Sequence, residues 1–181
     1  MREVLVVYVM CLWLIAPLSG CAEKAEHPST EHSSAASPPA LRHTLLDIDG
    51  LQHRPADMLP ERAVLCWFTN FCPGCEERFP FLERIKRLHP DHLAIFGISV
   101  LGDDRKTVAR MREVHSPSFP LLFDPGDVVA NAFGLSHAPN TCPLMNAVLV
   151  ARSGKVVWRG HLSAAKDEDI EAAVAAAVAT H

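Results

Sequence analysis

Ala63-Val64-Leu65-Cys66-Trp67-Phe68, then Thr69-Asn70-Phe71, then Cys72-Pro73-Gly74-Cys75-Glu76-Glu77-Arg78-Phe79-Pro80, is the stretch that decides the fold. Six apolar residues in a row are of strand length. Continuous rather than alternating apolarity points to a central strand buried on both faces. Downstream, Phe79, Leu82, Ile85 and Leu88 recur at helical spacing, which predicts a helix over Glu76–His89 stopped by Pro90. The two cysteines therefore sit where a buried strand hands over to an amphipathic helix.

The flanking sequence extends this unit. Leu93 to Val100 reads as a second buried strand, which makes strand–helix–strand a parallel pair with a right-handed crossover. A helix is expected from Asp104 to His115, capped by Asp103 or Asp104, with Val108, Met111 and Val114 inward. Phe119–Phe123 reads as a short strand and Asp127–Phe133 as a short helix ending at Gly134. Ala147–Ala151 and Lys155–Trp158 form a hairpin around Arg152-Ser153-Gly154. Ala164–Ala179 is a closing helix, and a strand–turn–strand over Thr44–His53 around Asp49-Gly50 precedes the whole. The sum is an α/β fold: a central mixed sheet flanked by helices, with an N-terminal β-hairpin extension.

The chain has 181 residues, 49% hydrophobic content and a formal net charge of −4. That allows one domain with appendages, and gives no basic surface for nucleic acid. Before the domain, Arg2 is followed by an apolar run from Val4 to Ala16, of signal-sequence rather than membrane-spanning length. It ends in Leu18-Ser19-Gly20-Cys21, which resembles the lipobox of bacterial lipoproteins. The resemblance implies a signal peptide over residues 1–20 and lipidation of Cys21. Ala22 after that cysteine resembles lipoproteins forwarded to the outer membrane. Residues 21–40 lack large apolar side chains and read as a flexible tether, with the folded domain spanning 41–181.

Six cysteines then divide by position. Cys11 leaves with the signal, Cys21 is the lipid site, and Cys66 lies in the core strand. Cys72 and Cys75 have the spacing that lets two sulfurs bond without moving the backbone. Cys72 faces the start of the helix, where unpaired N–H groups favour a thiolate, and is assigned the attacking role. Cys75, one turn in, is assigned the resolving role. A zinc half-site would need a second ligand pair, and none is spaced for it. No cofactor and no resident metal are expected.

These residues resemble the TlpA/ResA-like branch of the thioredoxin fold, within the redoxin (AhpC-TSA) superfamily. The likeness runs from about Leu41 to Thr180. It rests on Val64–Cys75, Phe79-Pro80, Ile98-Ser99-Val100, Phe119–Asp124, Ala132-Phe133-Gly134 and Ser153-Gly154-Lys155 in that order. It implies an extracytoplasmic thiol–disulfide oxidoreductase on the periplasmic face of a bacterial membrane. Its partners would be client proteins carrying disulfides or thiols, cytochrome c apoproteins among them, and a membrane or soluble thiol electron donor. The membrane is reached through the lipid anchor.

Three positions depart from the family pattern. Arg78 stands where Glu is common, so either its charge stabilises a thiolate or it is solvated. Phe71 replaces the usual Trp. The cis-Pro expected before the strand near Asn146 falls on Met145, with Pro143 two residues earlier as the nearest substitute. The same loop carries His137 and Cys142: Cys142 reads as a third redox thiol, or as joining His137 and the CxxC in binding copper, or as a semi-buried free Cys beside a surface His. Thr69, three residues before Cys72, resembles part of a peroxidatic motif whose Pro is replaced by Leu65. A Sco-like copper protein would need CxxxC, one residue more than is present.

Overall fold

The computed structural model describes residues 37–100, 105–135 and 146–179. Its centre is β3 (Ala63–Thr69), in which all seven residues are buried. β3 pairs in parallel with β4 (Leu93–Ser99) and antiparallel with β6 (Ala147–Val150), so both its edges are hydrogen-bonded. Beyond β4 lie β5 (Leu121–Phe123), β1 (Leu45–Asp47) and β2 (Gln52–His53), and beyond β6 lies β7 (Val156–Gly160). The sheet order is β2-β1-β5-β4-β3-β6-β7, mixed as expected, with the N-terminal hairpin as an extension on one side.

Strand alternation sends the side chains of β3 into two different cores. Ala63, Leu65 and Trp67 pack with α2 (Phe79–Leu88), α3 (Arg105–His115) and α5 (Asp167–Ala179) through Leu82, Ile85, Met111, Ile170 and Val174. Val64, Cys66 and Phe68 face the other way, toward Ala40, Leu41 and α4 (Val128–Ala132). Asp124 caps α4, its carboxylate accepting the amides of Val129 and Ala130 at 2.9 Å each. Burial pushes the Asp124 carboxyl upward despite these bonds.

The helix expected as one piece over Glu76–His89 is two. A single turn, α1 (Pro73–Glu76), is separated from α2 by Glu77 and Arg78. Pro80 lies in the first turn of α2, where its missing N–H is tolerated, and it could not have continued a helix begun at Cys72.

Two inward assignments are corrected. Leu88 is 61% exposed, and so is Val114. In α2 the buried residues are Phe79, Phe81, Leu82 and Ile85, and Leu88 at its end is turned outward. In α3 the stripe runs Val108, Met111 and then His115, whose ring stacks on Phe79 at 4.2 Å. Steps of three and four residues select His115 and rotate Val114 to solvent.

Phe79 is the hub of this core. It stacks on His115, lies 6.1 Å from Phe119 and 6.2 Å from Phe71, and meets Trp67 edge-on at 5.3 Å. Phe79→Ala is expected to cost about 3–5 kcal/mol, as a large buried aromatic does. Leu88→Ala, at the exposed end of the same helix, should stay within about 0.5 kcal/mol of wild type. Urea unfolding of the two variants measures the contrast.

Candidate active site

The end of β3 determines where the cysteine pair goes. Thr69 is fully buried, and its Oγ1 accepts the amide of Phe71 at 2.9 Å. Asn70 Oδ1 accepts the amide of Cys72 at 3.3 Å. These two side-chain bonds hold a sharp turn in which Phe71 takes φ +53°, left-handed backbone that an aromatic residue adopts only under constraint. Such a conformation costs of order 1–3 kcal/mol and is held here by the buried Phe71 ring against Trp67 and Phe79. Phe71 is an aromatic residue facing the core immediately before the pair.

Cys72 follows as the N-cap residue of α1, its carbonyl accepting the amides of Cys75 at 2.8 Å and Glu76 at 3.0 Å. Its side chain is half-buried, whereas Cys75 is 1% exposed. The two sulfurs are 2.9 Å apart, in thiol hydrogen-bond contact and not joined. One sulfur is therefore reachable from outside, and the second is poised directly behind it. Pro73 and Gly74 are exposed beside them, and a Cβ on Gly74 would meet none of the other described elements within 4 Å. Cys66 lies wholly inside the sheet, where burial pushes its thiol far up and leaves it unreactive.

Arg78 is largely buried rather than solvated. Its guanidinium donates to Asp167 Oδ1 at 2.8 Å and lies 4.2 Å over the Phe81 ring, joining the turn after Cys75 to the start of α5. Arg84 shares the same Asp167 carboxylate at 3.2 Å. On the other flank, Glu76 accepts from Arg110 of α3 at 2.6 Å, and this bond holds its carboxyl below the usual value. His115 Nε2 lies 3.6 Å from the second Glu76 oxygen, too far for a hydrogen bond. The pairings of Glu76 and Asp167 had no signal in the sequence, because each joins segments that only the fold brings together.

Cys21, His137, Cys142, Pro143 and Met145 lie outside the described residues, and so do the cap candidates Asp103 and Asp104. Among the described residues no group of three metal-ligating side chains comes together. Thr69, singled out for its likeness to a peroxidatic motif, spends an oxygen lone pair on the Phe71 amide. Thr69→Val, nearly isosteric, leaves that buried amide unpaired and is expected to cost about 1–3 kcal/mol. Chemical denaturation measures the loss, and amide exchange at Phe71 should rise with it.

The AhpC/TSA family model matches residues 37–159. The chain is 25% identical over 156 residues to the thiol-disulfide oxidoreductase ResA of Geobacillus thermodenitrificans (strain NG80-2), covering 86% of each chain. Among solved structures it resembles a secreted Mycobacterium tuberculosis disulfide oxidoreductase homologous to E. coli DsbE. That match has 18% identity and a TM-score of 0.61, over 76% of this chain and 97% of the other. It also resembles the peroxidoxin BcpB of M. tuberculosis, with 22% identity and a TM-score of 0.63, over 77% and 93% of the two chains. At these identities the structural matches speak to the fold alone, which is thioredoxin-like. The chain belongs to the AhpC/TSA family and has thiol–disulfide oxidoreductases among its distant homologues.

Proposed function

We propose that the protein is an extracytoplasmic thiol–disulfide oxidoreductase acting on client proteins through Cys72 and Cys75. The observation that carries this reading is the sulfur pair, 2.9 Å apart, with Cys72 accessible and Cys75 buried. In the reducing direction Cys72 Sγ, as thiolate, attacks one sulfur of a client disulfide. A Cys72–client bond forms, the client S–S bond breaks, and the departing client sulfur takes a proton. Cys75 then attacks the Cys72 sulfur, which closes the Cys72–Cys75 disulfide and releases the second client thiol. Two electrons have passed to the client, and a thiol donor restores the pair.

The resolving step needs Cys75 close behind Cys72 and shielded from the client, as the burial difference provides. Among the described residues Pro73 and Gly74 are exposed next to Cys72, small enough for a client backbone to lie against. Leu18-Ser19-Gly20-Cys21 supports a lipid anchor that holds the domain at the periplasmic face of a membrane, with Ala22 favouring the outer one. The relationship to ResA supports the choice of reaction class, and clients of the cytochrome c maturation type fit it.

Insulin disulfide reduction by the purified chain tests the mechanism. Cys72→Ser should abolish exchange, and Cys75→Ser should accumulate mixed disulfides that a reductant releases. Exchange surviving in the Cys72 variant would sink the mechanism, and rapid peroxide turnover without protein-disulfide exchange would favour a peroxidase instead. For the anchor, Cys21→Ser expressed in a two-membrane bacterium should move the protein from the membrane fraction to the soluble periplasm. Unchanged membrane association would refute lipidation at that residue.

A further inference from the structure

The contact between α3 and the turn that carries Cys75 contains an unsatisfied atom. Glu76 Oε1 accepts from Arg110 at 2.6 Å. Its other oxygen, Oε2, faces His115 Nε2 at 3.6 Å, beyond the reach of an ordinary hydrogen bond. That ring nitrogen is buried and has no hydrogen-bond partner among the described residues. A buried acceptor nitrogen without a donor is costly, and here it looks directly at a carboxylate.

The aim of the imidazole is set by packing. Its ring lies 4.2 Å from the Phe79 ring and within 9° of parallel to it. Phe79 is fixed in turn by Trp67, Phe71 and Phe119. The charges around His115 leave Glu76 as its counter-charge. On the cysteine turn, the Arg110 bond holds the Glu76 carboxyl below its usual value, and Glu77 is exposed. From α2 comes the uncharged Phe79 ring, while Glu83 accepts the amide and hydroxyl of Ser118 at 2.7 and 2.9 Å. On α3 itself Arg110 is bound to Glu76, Arg112 to Asp49, and Arg105 lies over Phe123. Lys106 and Glu113 are exposed.

We propose that His115 and Glu76 form a proton-operated clasp between α3 and the turn that carries Cys75. A proton taken from solvent bonds to Nε2 and makes the imidazole a cation. The new N–H then donates to Glu76 Oε2, and an unpaired nitrogen becomes one end of a charge-assisted hydrogen bond. The Glu76 amide bonds Cys72 O at 3.0 Å, so the clasp bears on the same single turn that holds both cysteines. Pairing favours the charged imidazole in the folded chain over the unfolded one. The stabilisation is therefore present on the acid side of the imidazole range and lost as pH rises through it. The clasp does not depend on the oxidoreductase reading.

The test is a double-mutant cycle on the full chain, with His115→Phe, Glu76→Gln and the pair unfolded in urea under reducing conditions. His115→Phe keeps a ring on Phe79 and removes the nitrogen. The other histidines are common to all four proteins. The coupling, read as a ratio of unfolding constants, should grow about three- to tenfold between about pH 8 and about pH 5.5, allowing for the partial exposure of both side chains. A second cycle built on His115→Gln should grow by the same factor. A coupling equal at the two pH values, or larger at the alkaline one, overturns the clasp and leaves the oxidoreductase reading intact.

Discussion

Burial of β3 on both faces and both edges is the constraint on which the rest of the structure depends. Each of its residues is either packed into one of two cores or, at Thr69, closed by a side-chain hydrogen bond. A strand held so completely cannot slip in register without turning both cores inside out. Its carboxyl end is therefore a fixed point. The turn through Asn70 and Phe71 starts from that point and sets Cys72 at the molecular surface.

From there the design uses two kinds of support. The first is local: Thr69 and Asn70 accept the next amides, and Phe71 anchors a left-handed backbone with its ring. The second arrives from distant chain. Arg110 of α3 takes Glu76, while Asp167 of α5 takes Arg78. One turn of helix would be marginal alone, since helix nucleation is unfavourable. These contacts from both flanks let α1 exist as a single turn and keep the two sulfurs in contact.

Arg78, three residues past Cys75, is held by partners that the fold supplies. The guanidinium pairs with Asp167 of α5 and lies over the face of Phe81 in α2. The structural role of Arg78 is then to fasten α5 to the turn behind the cysteines.

The buried strand, the cysteine spacing, the mixed sheet and the order of elements were all legible in the sequence, because each depends on apolar periodicity or on covalent spacing. Leu88 and Val114 were misjudged for the opposite reason. A helical repeat gives a stripe roughly one hundred degrees wide, and which edge of it is inward depends on the neighbour against which it packs. The single helix expected over Glu76–His89 is broken before Pro80, which cannot donate to the ladder of a helix begun at Cys72. The pairings Glu76–Arg110 and Arg78–Asp167 have no sequence signature at all, since hydrogen bonds between segments far apart in the chain follow from the way the sheet and helices stack. Sequence alone placed Cys72 and Cys75 at a spacing that can close a bond after a buried strand, because that spacing is covalent. Tertiary structure alone decided which sulfur is exposed and which groups hold the turn around it, because burial and long-range contacts exist only once the chain is folded.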